Sequence, residues 1–464
     1  MKNIYGLVPA VLALSIASSI GCWGQTAPVS SPGPDLPAAF DPVPDTAPVT
    51  AHLTVEQAVE NALTGNPEIR AAVRRLSLSQ MKTITARSLD DPMLMVRDWD
   101  TPIRKPWDLN QAQLMVSLQQ TIPSKEKRDL RSKIAVDDVE VTSDDLESLR
   151  QDVAASVREA CAALLRNADE MMLHNQQAAV LNQALSAMLA EYTTGKIPQA
   201  DVLRAQMALT RLSEHLIELE EERDGSRAQL NELMGRSPDD VVEIAGGYRN
   251  SQTLPPIDEL ERVAIEHRPE LAALRKLVTK SSDVGRLTRL AMKPDLTIAA
   301  GYMLMPTGSF SRSAYMAELT MNLPSLNRAR HDGEARQADA ATDMAQAELD
   351  ARTSTVFLEI RQAEIAVLSA QHRVKLYRDT LLPQAEAAFK ASTAAYQNNR
   401  GEFTNLIDSQ NLLLDIRNDT FKALSDEDSG SAQLERAMGT ALPDIPPAQS
   451  STTISNFNIA RTSK

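Results

Sequence analysis

The sequence predicts a mainly α-helical protein with a smaller membrane β portion, in which a strand pair followed by a long helical hairpin occurs twice. Three observations lead to this prediction. A set of short motifs recurs after about two hundred residues, and several short segments alternate apolar and polar residues with a period of two. Long runs rich in Ala, Leu, Glu and Arg contain few Gly or Pro, which favours long helices.

The N-terminus is typical of an export signal over residues 1–21, with Lys2 followed by a predominantly apolar stretch. Cys22 follows Ser19-Ile20-Gly21, which is similar to a bacterial lipobox, so Cys22 is predicted to carry the lipid anchor. Ordinary signal cleavage nearby is the alternative. Residues 22–50 are predicted to be a Pro- and Ser-rich linker on this anchor, and residues 443–464 a disordered tail.

The central feature is an internal duplication. Asn66-Pro67-Glu68 is echoed by Arg268-Pro269-Glu270 at an offset of 202 residues, and Met234-Gly235 returns as Met438-Gly439 at an offset of 204. An offset that drifts so little over such a distance indicates two copies of one unit. We assign the first repeat to residues 51–247 and the second to residues 255–442.

Each repeat is predicted to begin with a helix, over residues 54 to about 89 and 257 to about 292. Thr54 and Gln57 form a capping-box start for the first of these helices. Pro92 and Pro294 then end the helices.

The next segments are predicted to be strands. Residues 114–119, 296–304 and 319–323 alternate with period two, and residues 93–99 are assigned as a strand from the repeat. Aromatic side chains cluster near the connecting loops, as at a membrane–water interface, although a soluble hairpin core is the alternative: Trp99, Trp107, Tyr302, Phe310 and Tyr315. After the export signal no segment approaches the roughly 20 apolar residues of a membrane helix, so only strands could cross a membrane.

The longest predicted element is a helix over residues 125–192, roughly 100 Å long. Its apolar residues recur every three, four or seven positions, which indicates a coiled-coil seam. A break at residues 195–198 leads into a return helix over residues 200–235. The second repeat has the same plan, with a helix over residues 326–398, a break at residues 400–401 and a return helix that ends at Gly439.

This organisation resembles the TolC-like outer-membrane efflux family, over nearly the whole span from residue 53 to residue 442. The motifs that carry the resemblance lie at the opening helix, the two helix turns and the end of the return helix: Leu53-Thr54-Val55-Glu56-Gln57-Ala58, Asn66-Pro67-Glu68, Tyr192 with Gly195 and Asp201-Val202-Leu203, Tyr396 to Asp408, and Leu230-Asn231-Glu232-Leu233-Met234-Gly235. The resemblance implies a homotrimer whose three strand sets close a twelve-stranded β-barrel in outer-membrane lipid, above an α-helical tunnel in the periplasm.

The same resemblance implies a function. The chain would be the passive exit duct of a tripartite efflux pump, working with a periplasmic adaptor protein and an inner-membrane RND-type pump. The Arg268-Pro269-Glu270 motif is more similar to the heavy-metal branch of the family. Drug or protein secretion through the same fold remains open, and a soluble periplasmic coiled-coil scaffold is the alternative from another class.

Five residues at the helix turns are candidates for a periplasmic gate. By resemblance Asp408 occupies a position on a ring of aspartates that narrows the tunnel, and Asp201 and Tyr396 occupy positions that tether neighbouring helix pairs. Asn405 stands where a second ring aspartate is common, and Arg400 lies one residue from the expected tether position. The alternative is that these are solvated residues at the helix turns, where carboxylates near a helix start are favoured anyway.

The sequence gives no indication of covalent chemistry. The six histidines are scattered without metal-ligand spacing, and neither a phosphate loop nor a nucleophile elbow is found, so we expect no enzyme activity, cofactor or metal site. Cys161 lies in a helical run and is expected to be a small buried apolar residue. The net charge of −14 argues against nucleic acid as a partner.

Methionines occur on or beside the predicted strands. Their thioethers could bind soft Cu(I), but methionine is also a flexible apolar filler, and we favour the filler interpretation because these residues are expected on both strand faces. The methionines concerned are Met93, Met95, Met303, Met305, Met316 and Met321.

Overall fold

A computed structural model describes residues 51–99, 113–305, 313–398 and 400–442. The predicted export signal, Cys22, the linker and the tail lie outside these ranges, as do Trp107 and Phe310 in the two strand-connecting loops. Strands and helices follow the duplicated order that the sequence predicts, each repeat carrying a strand pair between a short helical pair and a long helical hairpin.

The first repeat begins with a short strand and ends with another. In chain order its elements are β1 (Ala51–Leu53), α1 (Val55–Gly65), α2 (Pro67–Arg87), β2 (Met93–Trp99), β3 (Gln113–Ile122), α3 (Lys125–Thr193), α4 (Gln199–Met234) and β4 (Val242–Ile244). β1 and β4 pair in parallel, a small sheet that the sequence patterns did not predict.

Within the described residues, the second repeat has no counterpart of the short parallel sheet. Its elements are α5 (Ile257–His267), α6 (Pro269–Leu290), β5 (Leu296–Leu304), β6 (Ser313–Met321), α7 (Arg328–Leu376), α8 (Leu382–Gln397) and α9 (Phe403–Met438). A 3₁₀ turn over Pro324–Asn327 precedes α7. The two long hairpins and the strands β2, β3 and β5 thus lie where the sequence predicts them, whereas β6 begins at Ser313 and ends at Met321, two residues before the end of the predicted segment 319–323.

The prediction of one opening helix in each repeat is wrong at a single point. Thr54 and Gln57 form the predicted capping box, but α1 ends at Gly65 and a new helix begins at Pro67. Proline disfavours a helical conformation at the residue before it and suits the first position of a helix. Asn66 caps the new helix, because its side-chain oxygen accepts hydrogen bonds from the backbone N–H of Glu68 and Ile69 at 2.8 and 3.1 Å. α5 and α6 are separated in the same way at Pro269.

The duplicated motifs contact each other within each repeat. In the first, the Asn66 amide donates to the Leu233 carbonyl at 2.9 Å, and a Cβ at Gly235 would lie 2.3 Å from the Gly65 carbonyl oxygen. In the second, Arg268 donates to the Ala437 carbonyl at 3.1 Å, beside Gly439. The recurring Pro-Glu and Met-Gly motifs are therefore the two sides of one packed junction between the opening helix pair and the return helix.

The two strand pairs join in one antiparallel sheet of order β2-β3-β5-β6. The central β3–β5 pairing aligns Ser117 with Gly301, where an added Cβ would lie only 2.7 Å from the Ser117 Cβ, so this close approach requires glycine. β2 and β6 form the two edges of the sheet within the described residues.

The two faces of this sheet differ in composition and exposure. One face, called the covered face below, has Met115, Ser117 and Ala299 buried at its centre, whereas Met93 on the edge strand β2 is 57% exposed on that face. The other face exposes aliphatic and aromatic side chains: Leu94, Val96, Val116, Leu118, Ile298, Tyr302, Leu304, Tyr315 and Leu319. This separation follows the period-two alternation that predicted the strands.

The strand methionines are less evenly distributed than the filler interpretation assumed. Register places Met93, Met95, Met303 and Met316 on the covered face together with Met115, whereas Met321 lies on the exposed apolar face. Gln113 donates from its amide to the Met303 sulfur at 3.0 Å.

The long helices have nearly the predicted bounds. α3 contains 69 residues, about 100 Å at about 1.5 Å per residue, and it packs against α2, α4, α6 and α9. The predicted helix over residues 326–398 is interrupted by a π-helical turn at Tyr377–Leu381. Pro383 follows this turn, and its missing N–H cannot donate to the carbonyl four residues earlier, which favours a local change of hydrogen-bond pattern.

Small side chains fill the seams between these helices. Ala58, Ala62, Val157 and Cys161 are fully buried in the cluster that joins α1, α3 and α4. The prediction for Cys161 is confirmed, and burial raises the pKa of its thiol to about 12. Within the described ranges, no helix combines the length and the apolar character needed to cross a membrane.

Candidate functional site

The tips of the two long hairpins pack against each other. The first tip joins α3 to α4 through Gly195, and the second joins α8 to α9 around Gly401. Met188, Val202 and Ala205 of the first hairpin form a buried apolar cluster with Phe403 of the second. The cluster brings together the two chain segments that contain all five predicted gate residues.

A polar contact beside this cluster connects the two hairpins. Arg204, on the first turns of α4, donates to the Thr404 hydroxyl on α9 at 2.7 Å. The same guanidinium lies 3.4 Å from the carboxylate of Asp201, whose side chain is 18 % exposed. Asp201 therefore orients Arg204, and Arg204 makes the contact with the second hairpin.

Sequence reasoning missed both partners in this contact. The spacing of Asp201 and Arg204 by three residues at a helix start would have indicated their ion pair. Thr404 lies 200 residues from Arg204, and no local pattern connects them.

Tyr396 belongs to the same junction. Its ring lies 5.7 Å from the ring of Phe403, centre to centre, and it packs at the border of the apolar cluster. Burial raises the pKa of the Tyr396 hydroxyl, and the negative charges of Glu191 and Asp201 raise it further. Tyr396 therefore keeps its proton at neutral pH and can act as a hydrogen-bond donor near Asp201.

The three remaining predicted residues lie on the surface. The side chains of Arg400, Asn405 and Asp408 are exposed, and none of the three makes a side-chain hydrogen bond or ion pair with a residue that the structure describes. Asn405 and Asp408 are three residues apart on α9 and so share one face of that helix. The structure thus brings Asp201 and Tyr396 together and leaves the other three free to face solvent or another chain.

A polar cavity of about 650 Å³ extends from the hairpin tips along α3, α4 and α9. Arg204, Thr404 and Asp408 line it near the tips, and His174 and His215 line it further along the helices. The cavity therefore runs from the junction of the hairpin tips to the middle of the helices.

Two histidines meet in this cavity, although no pattern in the sequence pairs them. His174 on α3 is 6 % exposed, and its ring centre lies 6.0 Å from that of His215 on α4. They are 41 positions apart on antiparallel helices, so their proximity depends on where the hairpin turns. Burial lowers the pKa of His174, His215 lowers it further, and Asp415 acts in the opposite direction.

Partners of the two imidazoles differ. The Nδ1 atom of His215 lies 3.1 Å from the Glu218 carboxylate. The Nε2 atom of His174 lies 3.2 Å from the side-chain amide of Asn418, and its buried Nδ1 atom has no partner among the described residues. Nor do any three described His, Cys, Asp or Glu side chains lie close enough to hold one metal ion together.

Comparison with known proteins adds three findings. The sequence model of the outer membrane efflux protein family matches residues 58–236 and 260–440. The chain is similar to the cobalt-zinc-cadmium resistance protein CzcC of Cupriavidus metallidurans, with 24% identity over 389 residues that cover 83% of this chain and 90% of the relative.

Solved structures share the fold. The outer-membrane channel OprN superposes with a TM-score of 0.71 at 16% identity, covering 84% of this chain and 90% of that one. The CmeC outer membrane channel of Campylobacter jejuni also has a TM-score of 0.71, at 12% identity, covering 88% of this chain and 94% of that one. At such low identities these likenesses concern the fold alone.

Proposed function

The chain belongs to the outer membrane efflux protein family, and on this premise we propose that it is the outer-membrane exit duct of a tripartite efflux pump. The observation that carries the proposal is that both halves of the chain match the family separately and that each supplies one strand pair and one long hairpin. A soluble coiled-coil scaffold would need the hairpins but not the strand pairs.

The sheet supports assembly as a trimer. β2 and β6 end the sheet, and its exposed face presents Leu94 and Leu319, each 69% exposed, with Tyr315 91% exposed. An open sheet edge is not tolerated in lipid, because its N–H and C=O groups would lack partners. Three copies placed edge to edge would close a twelve-stranded barrel, with the apolar face toward lipid and the covered face toward the lumen.

The helices support a periplasmic tunnel. Hairpins roughly 100 Å long, continuous with the sheet, would carry the duct from the outer membrane toward the inner membrane. We propose a periplasmic adaptor protein and an inner-membrane RND-type pump as partners, the pump supplying the energy. The hairpin tips, where Asp201, Arg204 and Tyr396 lie, would form the mouth that meets these partners.

The proposed cargo is heavy-metal ions rather than drugs or proteins. The support is the similarity to a protein named for resistance to cobalt, zinc and cadmium, over 90% of that protein's length. Two imidazoles in the cavity near the proposed mouth agree with this cargo, since imidazole binds such ions.

We further propose Cys22 as the lipid-modified residue that anchors the chain. Cys22→Ser should abolish incorporation of radiolabelled palmitate while heat-labile trimers still form in the outer membrane. Labelling that survives the substitution would contradict the anchor.

The duct itself is tested in two steps. Detergent-extracted protein should run as a trimer and should form channels in planar bilayers. A strain that lacks its own duct but retains the pump and adaptor should regain zinc or cobalt tolerance when this chain is supplied. A helical monomer without channel activity would contradict the proposal, and recovered drug tolerance without metal tolerance would contradict the cargo.

A further inference from the structure

We propose that His174 and His215 form a transient binding site for a divalent transition-metal ion on the wall of the cavity between α3, α4 and α9. Its role rests on the proposed function, since the site would serve ions that pass through the duct. It narrows the cargo to ions of intermediate softness that favour imidazole, such as Zn²⁺, Co²⁺, Ni²⁺ and Cu²⁺.

Ring geometry is the first argument. Two imidazoles that bind one tetrahedral ion at about 2.0–2.1 Å have ring centres roughly 5–6 Å apart. The centres of His174 and His215 are 6.0 Å apart with the planes inclined by 42°. Small side-chain rotations inside the cavity would therefore direct one nitrogen of each ring at a common ion.

The second argument is which nitrogens remain free. Glu218 contacts Nδ1 of His215 at 3.1 Å, which leaves Nε2 of that ring available. A carboxylate on one imidazole nitrogen while the other binds metal is the usual arrangement around metal-bound histidines. His215 is therefore already oriented as a ligand by a neighbour on its own helix.

His174 offers its other nitrogen. Its Nε2 atom faces the Asn418 amide at 3.2 Å, and both its Nδ1 atom and the Asn418 Oδ1 atom are buried without partners. A half-turn of the Asn418 amide exchanges its NH₂ donor and its oxygen acceptor in the same space. With the amide reversed, Asn418 Oδ1 accepts the Nε2–H proton and Nδ1 carries the lone pair that a metal ion needs.

A purely structural role explains His174 less well. Buried polar atoms are nearly always paired, because an unpaired one loses its hydrogen bonds to water and gains none in the folded protein. With the Asn418 amide reversed, the buried atoms of the cavity lining that lack a partner include His174 Nδ1 and, one helical turn along α3, Gln177 Nε2. Unpaired atoms of this kind are expected where a bound ion and its water molecules complete the contacts.

Only two side chains would hold the ion, so its affinity for the site would be low. Low affinity is what an ion passing through the duct requires. No third His, Cys, Asp or Glu among the described residues completes the set, so water would hold the remaining positions. A site on a conduction path must bind well enough to attract an ion and weakly enough to release it. Asp408 and Asp415 line the same cavity, and their negative charges would concentrate cations there.

The test uses Cu²⁺ as a probe on untagged, full-length protein extracted in detergent. Electron paramagnetic resonance should show copper bound by two imidazole nitrogens; a large excess of Zn²⁺ should displace it, because Cu²⁺ binds imidazole more tightly, and the same excess of Mg²⁺ should not. His215→Gln should leave one nitrogen and weaken copper binding at least tenfold. Its side chain is 59% exposed, so this variant is expected to fold, whereas His174→Gln is a supporting variant at a buried position.

His372→Gln is the matched control, because His372 is an exposed histidine on α7 away from the cavity. It should bind copper as the parent does. The inference is overturned if the parent binds copper through fewer than two imidazoles, or if His215→Gln and His372→Gln bind alike. Conductance of the same preparations in planar bilayers separates the two proposals: conducting trimers without copper binding contradict only the site, and protein that forms no channels contradicts the duct.

Discussion

Removal of the Arg204–Thr404 contact should open the proposed periplasmic mouth. Arg204→Ala removes the guanidinium that donates to Thr404 at 2.7 Å, and Thr404→Val removes the acceptor with little change in volume. If this contact holds the two hairpin tips together in the narrow state, either substitution favours the open state by the contact energy that is lost.

The magnitude follows from the exposure of the pair. A hydrogen bond to a charged group is worth about 1.5–3 kcal/mol. The Arg204 side chain is 55% exposed, so solvent screening reduces this to about 1 kcal/mol per chain. Three chains at one mouth would contribute about 3 kcal/mol, a shift on the order of 100-fold in the open-to-closed ratio.

Single-channel recording in planar bilayers measures this shift as a longer open time and a larger mean conductance. The double variant should open the mouth no further than Arg204→Ala alone, because Thr404→Val removes a contact that Arg204→Ala has already removed. Arg223→Ala is the control, since Arg223 lies on α4 and pairs only with its neighbour Asp224 among the described residues. Unchanged conductance in both single variants, with trimers intact, would refute the tether.

The remaining predictions concern the pore, a helix junction and pH. Asp408→Ala should lower the cation-to-anion permeability ratio of the channel. Asp419→Ala, on the same helix but outside the cavity, should leave this ratio unchanged. If Asp408→Ala has the same ratio as the parent, Asp408 does not line the pore. Gly235→Ala should lower the melting temperature by the equivalent of at least about 2 kcal/mol, because Gly235 has φ +68° and its added Cβ would clash with Gly65. Gly225 lies inside α4 with open space around it, so Gly225→Ala should instead raise the free energy of unfolding by about 0.5–1 kcal/mol. If Gly225→Ala destabilises the protein as much as Gly235→Ala does, the effect at Gly235 does not come from its contact with Gly65. Burial raises the pKa of Asp428 to about 6 from 3.8, so its ionisation destabilises the fold as pH rises through about 6. Asp428→Asn should therefore raise the melting temperature relative to the parent more at pH 8 than at pH 5, and a difference that does not change with pH would contradict the assignment.

Local chemistry explains why so much of the fold was predictable. Thr54 with Gln57 predicts a helix start, and Gly235 and Gly439 predict helix ends, because caps act within a few residues. Period-two alternation predicted β5 over its full length. The errors were equally local: the opening helix breaks at Pro67, and a π-helical turn precedes Pro383, where proline chemistry outweighs the helical pattern.

The candidate site was predicted only in part. Resemblance placed Asp201 and Tyr396 at the hairpin tips, where the structure shows them in one junction, but it missed Arg204 and Thr404. Roles for Arg400, Asn405 and Asp408 stay predictions, since these exposed side chains would need a second chain to define their partners.

The sequence by itself determined the duplication, the element order and the polar character of each strand face, since these depend on neighbours a few positions apart. Only the tertiary structure decided which distant side chains lie at the same height on antiparallel helices. His174 and His215 meet because the α3–α4 turn and the packed seam set the axial register of the two helices. Likewise, strand register placed four of the strand methionines beside Met115 on one face. A shift of one residue between α3 and α4 would separate the two histidines, and a shift of one residue between two strands would move a methionine to the other face of the sheet. Neither shift would alter a local sequence pattern.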